Sequence, residues 1–128
     1  MAFKKVLLDG QPIAAGAEKR LLPGLAVEDI GRLHFHISAG TSAIAGLQVK
    51  ILFGTPNGSV ILLSDSTVWY EETVSEREFI YSTPTSYGHT GFVMSVPVVA
   101  PQLYDVILRN VGTAALAKVY VTVLGTPI

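Results

Sequence analysis

The chain has 128 residues, no cysteine and a formal net charge of −1. That length is enough for one domain with a sizeable core, and the composition excludes disulfides and thiolate chemistry and leaves no electrostatic case for nucleic acid or an anionic membrane. Charged residues make up 15% and hydrophobic residues 49% of the chain, against about 25% charge in typical soluble domains, so part of the surface is expected to be buried against another chain.

The start, MAFKKVLLDGQ, has no long apolar run and no small-residue cleavage site, so it does not read as a signal peptide. No stretch approaches the roughly 18 apolar residues of a membrane helix. These two readings leave the compartment unassigned, with a cytoplasmic or virion-associated protein and no membrane partner as the expectation.

Phe3 to Leu8 reads as a first strand closed by an Asp9-Gly10 turn, and Gln11 to Gly16 as a loop. A short strand over Glu18 to Leu22 ends at Pro23-Gly24, while Leu25 to Ile30 fits either a helical turn or a connecting strand. Gly31 to Ser38 alternates cleanly, with Leu33, Phe35 and Ile37 on one face and Arg32, His34 and His36 on the other. Leu47, Val49, Ile51 and Phe53 form the core row of the next strand. Asn57-Gly58 predicts a tight turn into Ser59 to Ser64, and Thr67 to Glu72 continues past a bulge at Asp65-Ser66. Arg77 to Ser82 alternates again, and Thr83 to Gly91 is a loop. In Gly91 to Val99 the residues Phe92, Met94, Val96 and Val98 point inward, and Pro97 places this strand at an edge or makes it bulge there, because proline cannot donate to a ladder. Leu103 to Leu124 then predicts a long hairpin around a Gly-Thr turn, with Tyr104, Val106 and Leu108 on one core row and Ala117, Val119, Val121 and Val123 on the other.

About eight strands without an amphipathic helix predict an all-β chain: a single antiparallel β-sandwich domain spanning residues 1–128, jelly-roll-like rather than immunoglobulin-like. Nothing in the pattern indicates a cofactor.

Chemistry-bearing residues are few. His34 and His36 share a strand face at i, i+2 and His89 lies in a loop; together they could ligate a metal, as in cupins, or be ordinary surface histidines. Glu71, Glu72, Glu76 and Glu78, with Asp65 upstream, form the densest acidic cluster, which reads as a solvated rim without a calcium-loop motif. Trp69, Tyr70, Tyr81 and Tyr87 offer flat faces for a sugar or for a protein partner. No nucleophile elbow, phosphate loop or dinucleotide fingerprint is present, so no catalytic residue can be named.

The row opposite the core is apolar at Leu52, Ile80, Val93, Val99, Ile107, Tyr120 and Leu124. If the strands carrying Val93, Val99 and Ile107 are neighbours, these three form a patch. The expectation is therefore a non-enzymatic structural or interaction protein, a homo-oligomer that can join a larger assembly. A carbohydrate-binding module using Trp69, Tyr70 or Tyr87, with a glycan as ligand, is the first alternative; a cupin-like metal-binding protein is the second.

Overall fold

The computed structural model describes residues 3–54, 78–84, 86–99 and 101–128. Through them run β1 (Phe3–Ile13), β2 (Glu18–Arg20), β3 (Leu25–Ala26), β4 (Ile30–Ser38), β5 (Leu47–Gly54), β6 (Glu78–Ser82), β7 (Gly91–Pro97), β8 (Gln102–Asn110) and β9 (Leu116–Pro127). They form two antiparallel sheets: a four-stranded one in the order β1-β9-β4-β7, and a second in the order β2-β8-β5-β6, with β3 pairing the start of β8. No helix occurs among the described residues. The all-β antiparallel sandwich expected from the alternation is the fold.

Alternation positions the core as expected in β4 and β5 and, from Val119 onward, in β9; Ala117 is exposed and Leu116 is buried in its place, because the pairing with β1 steps from Gln11·Val119 to Ile13·Leu116. Leu33, Phe35 and Ile37 face Leu47, Val49, Ile51 and Phe53, and Val119, Val121 and Val123 complete the layer, none more than 1% exposed. Burying each such side chain contributes about 1.5–3 kcal/mol. Among the described residues β7 is the last strand of the four-stranded sheet and its register with β4 is unbroken at Pro97, so of the edge and the bulge expected there the edge is found.

The terminal hairpin does not form. β8 pairs with β2, β3 and β5, whereas β9 pairs with β1 and β4, so the chain crosses from one sheet to the other between them. Period-two alternation is the same for two strands side by side and for two strands facing each other across a core, because it records only which row is buried. Asn110 decides between these. Its side chain, with no exposed surface, donates from Nδ2 to the carbonyls of Ile13 (3.1 Å) and Ala114 (2.9 Å) and accepts at Oδ1 from the Gly112 amide (3.0 Å). Its backbone bonds Ala17 and Gly16 across the β1–β2 connection. The residue thus ties the end of β1 to the arch that carries the chain between the sheets.

Two smaller corrections have local causes. Tyr104 is not in the core row: the register steps from Leu52·Asp105 to Phe53·Leu103, so Tyr104 is the extra residue of a β-bulge and Leu103 takes the core position. Asp9-Gly10 is not a turn either. β1 runs on to Ile13 with register shifts on both sides, and Gly10 sits at φ +69° with the Tyr120 ring against it, which is a bulge. Leu25 to Ile30, left between helix and strand by its sequence, contains the two-residue β3 and no helix. The Asn57-Gly58 turn, Ser59 to Ser64, the Asp65-Ser66 bulge and Thr67 to Glu72 lie outside the described residues.

The sheet containing β8 is buried on both faces along its middle. Opposite the core, Lys50, Leu52, Asp105 and Ile107 have 0–1% exposure. The Asp105 carboxylate is fully engaged: Oδ2 accepts from Arg20 Nε and Nη2, both at 2.7 Å, and Oδ1 accepts from the Leu22 amide at 2.9 Å. Leu22 has φ +43°, an unfavourable left-handed conformation for a side chain of its kind, and this hydrogen bond holds it there.

Asn110→Ala takes a partner from the buried Ile13 carbonyl and from the part-buried Ala114 carbonyl and Gly112 amide and is expected to lower the free energy of urea unfolding by about 2–4 kcal/mol. Asp105→Ala, which removes a fully buried carboxylate from Arg20 and from the Leu22 amide, is expected to cost about 2–4 kcal/mol as well. A loss below about 1 kcal/mol in either titration would contradict the role assigned here.

Candidate functional site

The outer face of the four-stranded sheet carries the chemistry that the fold leaves accessible. Registers across β1, β9, β4 and β7 set out its rows: Lys4, Leu124, His34 and Ser95 in one; Val6, Thr122, His36 and Val93 in the next; Asp9, Tyr120, Ser38 and Gly91 in the third. Val6 is 53% and Val93 56% exposed, while Leu124 and Tyr120 are half-buried. Two large apolar side chains so open to water at the two ends of one row are the main apolar feature of this face.

His34 and His36 lie on this face as the alternation requires. Their Cα atoms are separated by about 6.6 Å, twice the rise of a strand. His34 Nδ1 is 2.7 Å from Ser95 Oγ, a cross-strand pair at a position where side chains stand close. His89 is in the loop before β7 with its ring edge-on to Tyr87, centroids 5.3 Å apart. Among the described residues no group of three or more His, Asp or Glu is placed to hold a metal ion.

Tyr87 is a clamp. Its ring packs edge-on to Phe92, centroids 6.4 Å apart, and its hydroxyl donates to the Gly91 carbonyl at 3.1 Å. Phe92 also meets Tyr81 at 4.9 Å, joining the outer strands of the two sheets. Trp69 and Tyr70 lie outside the described residues, as do Asp65, Glu71, Glu72 and Glu76.

The patch expected of Val93, Val99 and Ile107 does not form. β7 and β8 belong to different sheets, and Ile107 has no exposed surface. Leu52 is buried too, so two of the apolar outward positions are hidden within the chain itself. Val99, just beyond β7, is 37% exposed.

Two hollows open at opposite ends of the sandwich. One of about 330 Å³ is lined by Phe3, Leu25, Ala26, Glu28, Asp29 and Ile30. The other, about 350 Å³, lies between residues 42–45 and 112–116 and has no ionisable side chain in its wall. Neither brings a nucleophile to a base.

Sequence reasoning missed Val6, whose row with Thr122, His36 and Val93 is set only once the β1–β9 register is known. It also missed the outward backbone of β7, although Pro97 signalled an edge.

No family model and no characterised relative matches the chain. Several solved structures are similar to it over most of their length. PRD1 vertex protein P5 aligns with 99% of this chain and 94% of its own at TM-score 0.52 and 13% identity. A chain from the disulfide-linked pili of Bacillus endospore appendages covers 100% and 89% at TM-score 0.44 and 8% identity. The C-terminal CBM6 of LamC, a laminarinase from Zobellia galactanivorans, covers 98% and 100% at TM-score 0.46 and 13% identity. At these identities the likeness is one of fold.

Tyr87→Phe removes the hydroxyl from Gly91 and keeps the ring; it is expected to lower stability by about 0.5–1.5 kcal/mol in urea unfolding. No change would mean that the clamp at the start of β7 is the ring alone.

Proposed function

We propose that this chain is a non-enzymatic structural or binding subunit that associates with copies of itself, and through them with a larger assembly. The observation that carries the reading is the outer face of the four-stranded sheet, where Val6 and Val93 stay more than half exposed at the two ends of one row. A chain with only 15% charged residues has few ionic groups to keep such a face in water. Leu52 and Ile107 are covered on the other sheet, whereas these valines are not. The strand orders β1-β9-β4-β7 and β2-β8-β5-β6 support the jelly-roll version of the sandwich, since successive strands repeatedly cross between the sheets. The vertex protein P5 has the same kind of fold, which is compatible with an assembly role and contributes no more than that.

Size-exclusion chromatography with light scattering over a dilution series tests the reading. The expected mass exceeds that of the 13.6 kDa subunit at the concentrated end and falls on dilution. A subunit mass throughout sinks it.

A further inference from the structure

We infer that two copies of this chain join edge to edge through β7, antiparallel about a two-fold axis, with Val93 of each opposite Ser95 of the other. The inference rests on the self-association proposed above and names the surface that performs it.

The geometry begins with the β4–β7 ladder. The Ala39 amide donates to the Thr90 carbonyl and the Val98 amide to the Gly31 carbonyl, and the register between these points is unbroken from Arg32·Pro97 to Ser38·Gly91. In an antiparallel ladder, residues alternate between bonding inward and bonding outward. Phe92, Met94 and Val96 therefore bond to β4, and the backbone groups of Gly91, Val93, Ser95 and Pro97 point away from the sheet. Among the described residues no strand pairs with that side of β7.

The ends of this edge are already closed. Pro97 has no N–H to offer, and the Gly91 carbonyl accepts from the Tyr87 hydroxyl. Between them the N–H and C=O of Val93 and Ser95 are open, and both residues are exposed. Such an edge is either kept short to prevent pairing or shaped for one particular strand.

Another β7 is that strand, in one register. With Val93 opposite Ser95 of the second copy, the two residues exchange both of their hydrogen bonds, and symmetry repeats the exchange. Gly91 then faces Pro97 of the second copy: the proline's missing donor meets the one outward carbonyl that needs none, while the Gly91 N–H can reach the proline carbonyl. Shifting the pairing to Ser95 opposite Ser95 sets the open Val93 carbonyl against Pro97, with no donor. Shifting it to Val93 opposite Val93 sets the Ser95 amide against the carbonyl already held by Tyr87.

Side chains agree with this register. Phe92 and Met94, half-buried at the rim of the core, would be covered by Val96 and Met94 of the second copy. On the outer face the row His36, Val93 continues into Ser95 and His34 of the second copy. The result is one eight-stranded sheet whose interface is isologous, as a two-fold requires.

Val93→Pro tests the edge. Its N–H points away from β4, so the subunit's own ladder is retained, and circular dichroism should show an unchanged fold. Losing the Val93 donor from each copy is expected to raise the dimer dissociation constant by about 10- to 100-fold. A folded Val93→Pro variant that dimerises as well as the wild type overturns the edge pairing and leaves self-association standing; a monomeric wild type removes both.

Because the chain has no cysteine, register can be read by crosslinking, which also decides the matter if Val93→Pro does not fold. Opposed residues of a bonded pair are about 5.5 Å apart at Cα, within disulfide range. Mixed Val93→Cys and Ser95→Cys chains are expected to form a heterodimeric disulfide under mild oxidation, and neither alone to do so at a comparable rate. Equal crosslinking of either variant with itself overturns the register.

Discussion

Everything in this molecule hangs on the crossing from β8 to β9, and Asn110 makes it. A fully buried amide whose donors and acceptor are all used costs little, whereas leaving any of its partners bare costs a desolvated polar group. Asn110 holds the carbonyls of Ile13 and Ala114 and the amide of Gly112, while its own backbone bonds Gly16 and Ala17. β1, the β1–β2 connection and the arch are thereby fixed to one point. With the arch in place, Val106 and Leu108 face Val119 and Val121 across the core instead of lying beside them.

The two outer faces then diverge. On the sheet built around β8, the row away from the core is buried at Lys50, Leu52, Asp105 and Ile107, and the Asp105 carboxylate anchors the chain from Arg20 to Leu22. On the sheet built around β9, the corresponding row is open to water and mixes His34, His36 and Thr122 with Val6 and Val93. The shortage of charge seen in the composition is thus answered in two ways. Some of the apolar outer surface is hidden inside the chain, and the remainder is left where a second chain can reach it.

The aromatic and histidine residues that first draw the eye take on ordinary structural tasks where they are described. Tyr87 clamps the start of β7 and packs on Phe92, and His34 pairs with Ser95 across strands. Among the described residues the accessible chemistry is that of a surface: hydrogen-bonding backbone at one edge and apolar side chains on the face beside it. The sandwich fold shared with PRD1 vertex protein P5 is one on which surfaces vary freely.

By itself the sequence determined the rows. Leu33-Phe35-Ile37, Leu47-Val49-Ile51-Phe53 and Val119-Val121-Val123 are legible as core because period-two alternation is a local property of the extended chain. Pro97 likewise narrows its strand to an edge or a bulge, since a missing donor is written into the residue. Which strands lie side by side was decided only in three dimensions: the same alternation serves a hairpin and an arch, and the choice fell to the buried partners of Asn110. The bulge that moves Tyr104 out of the core and the burial of Ile107 also depend on neighbours distant in the chain. So does the open pair at Val93 and Ser95, because which backbone groups of β7 face outward follows from its register with β4, and no side chain records that.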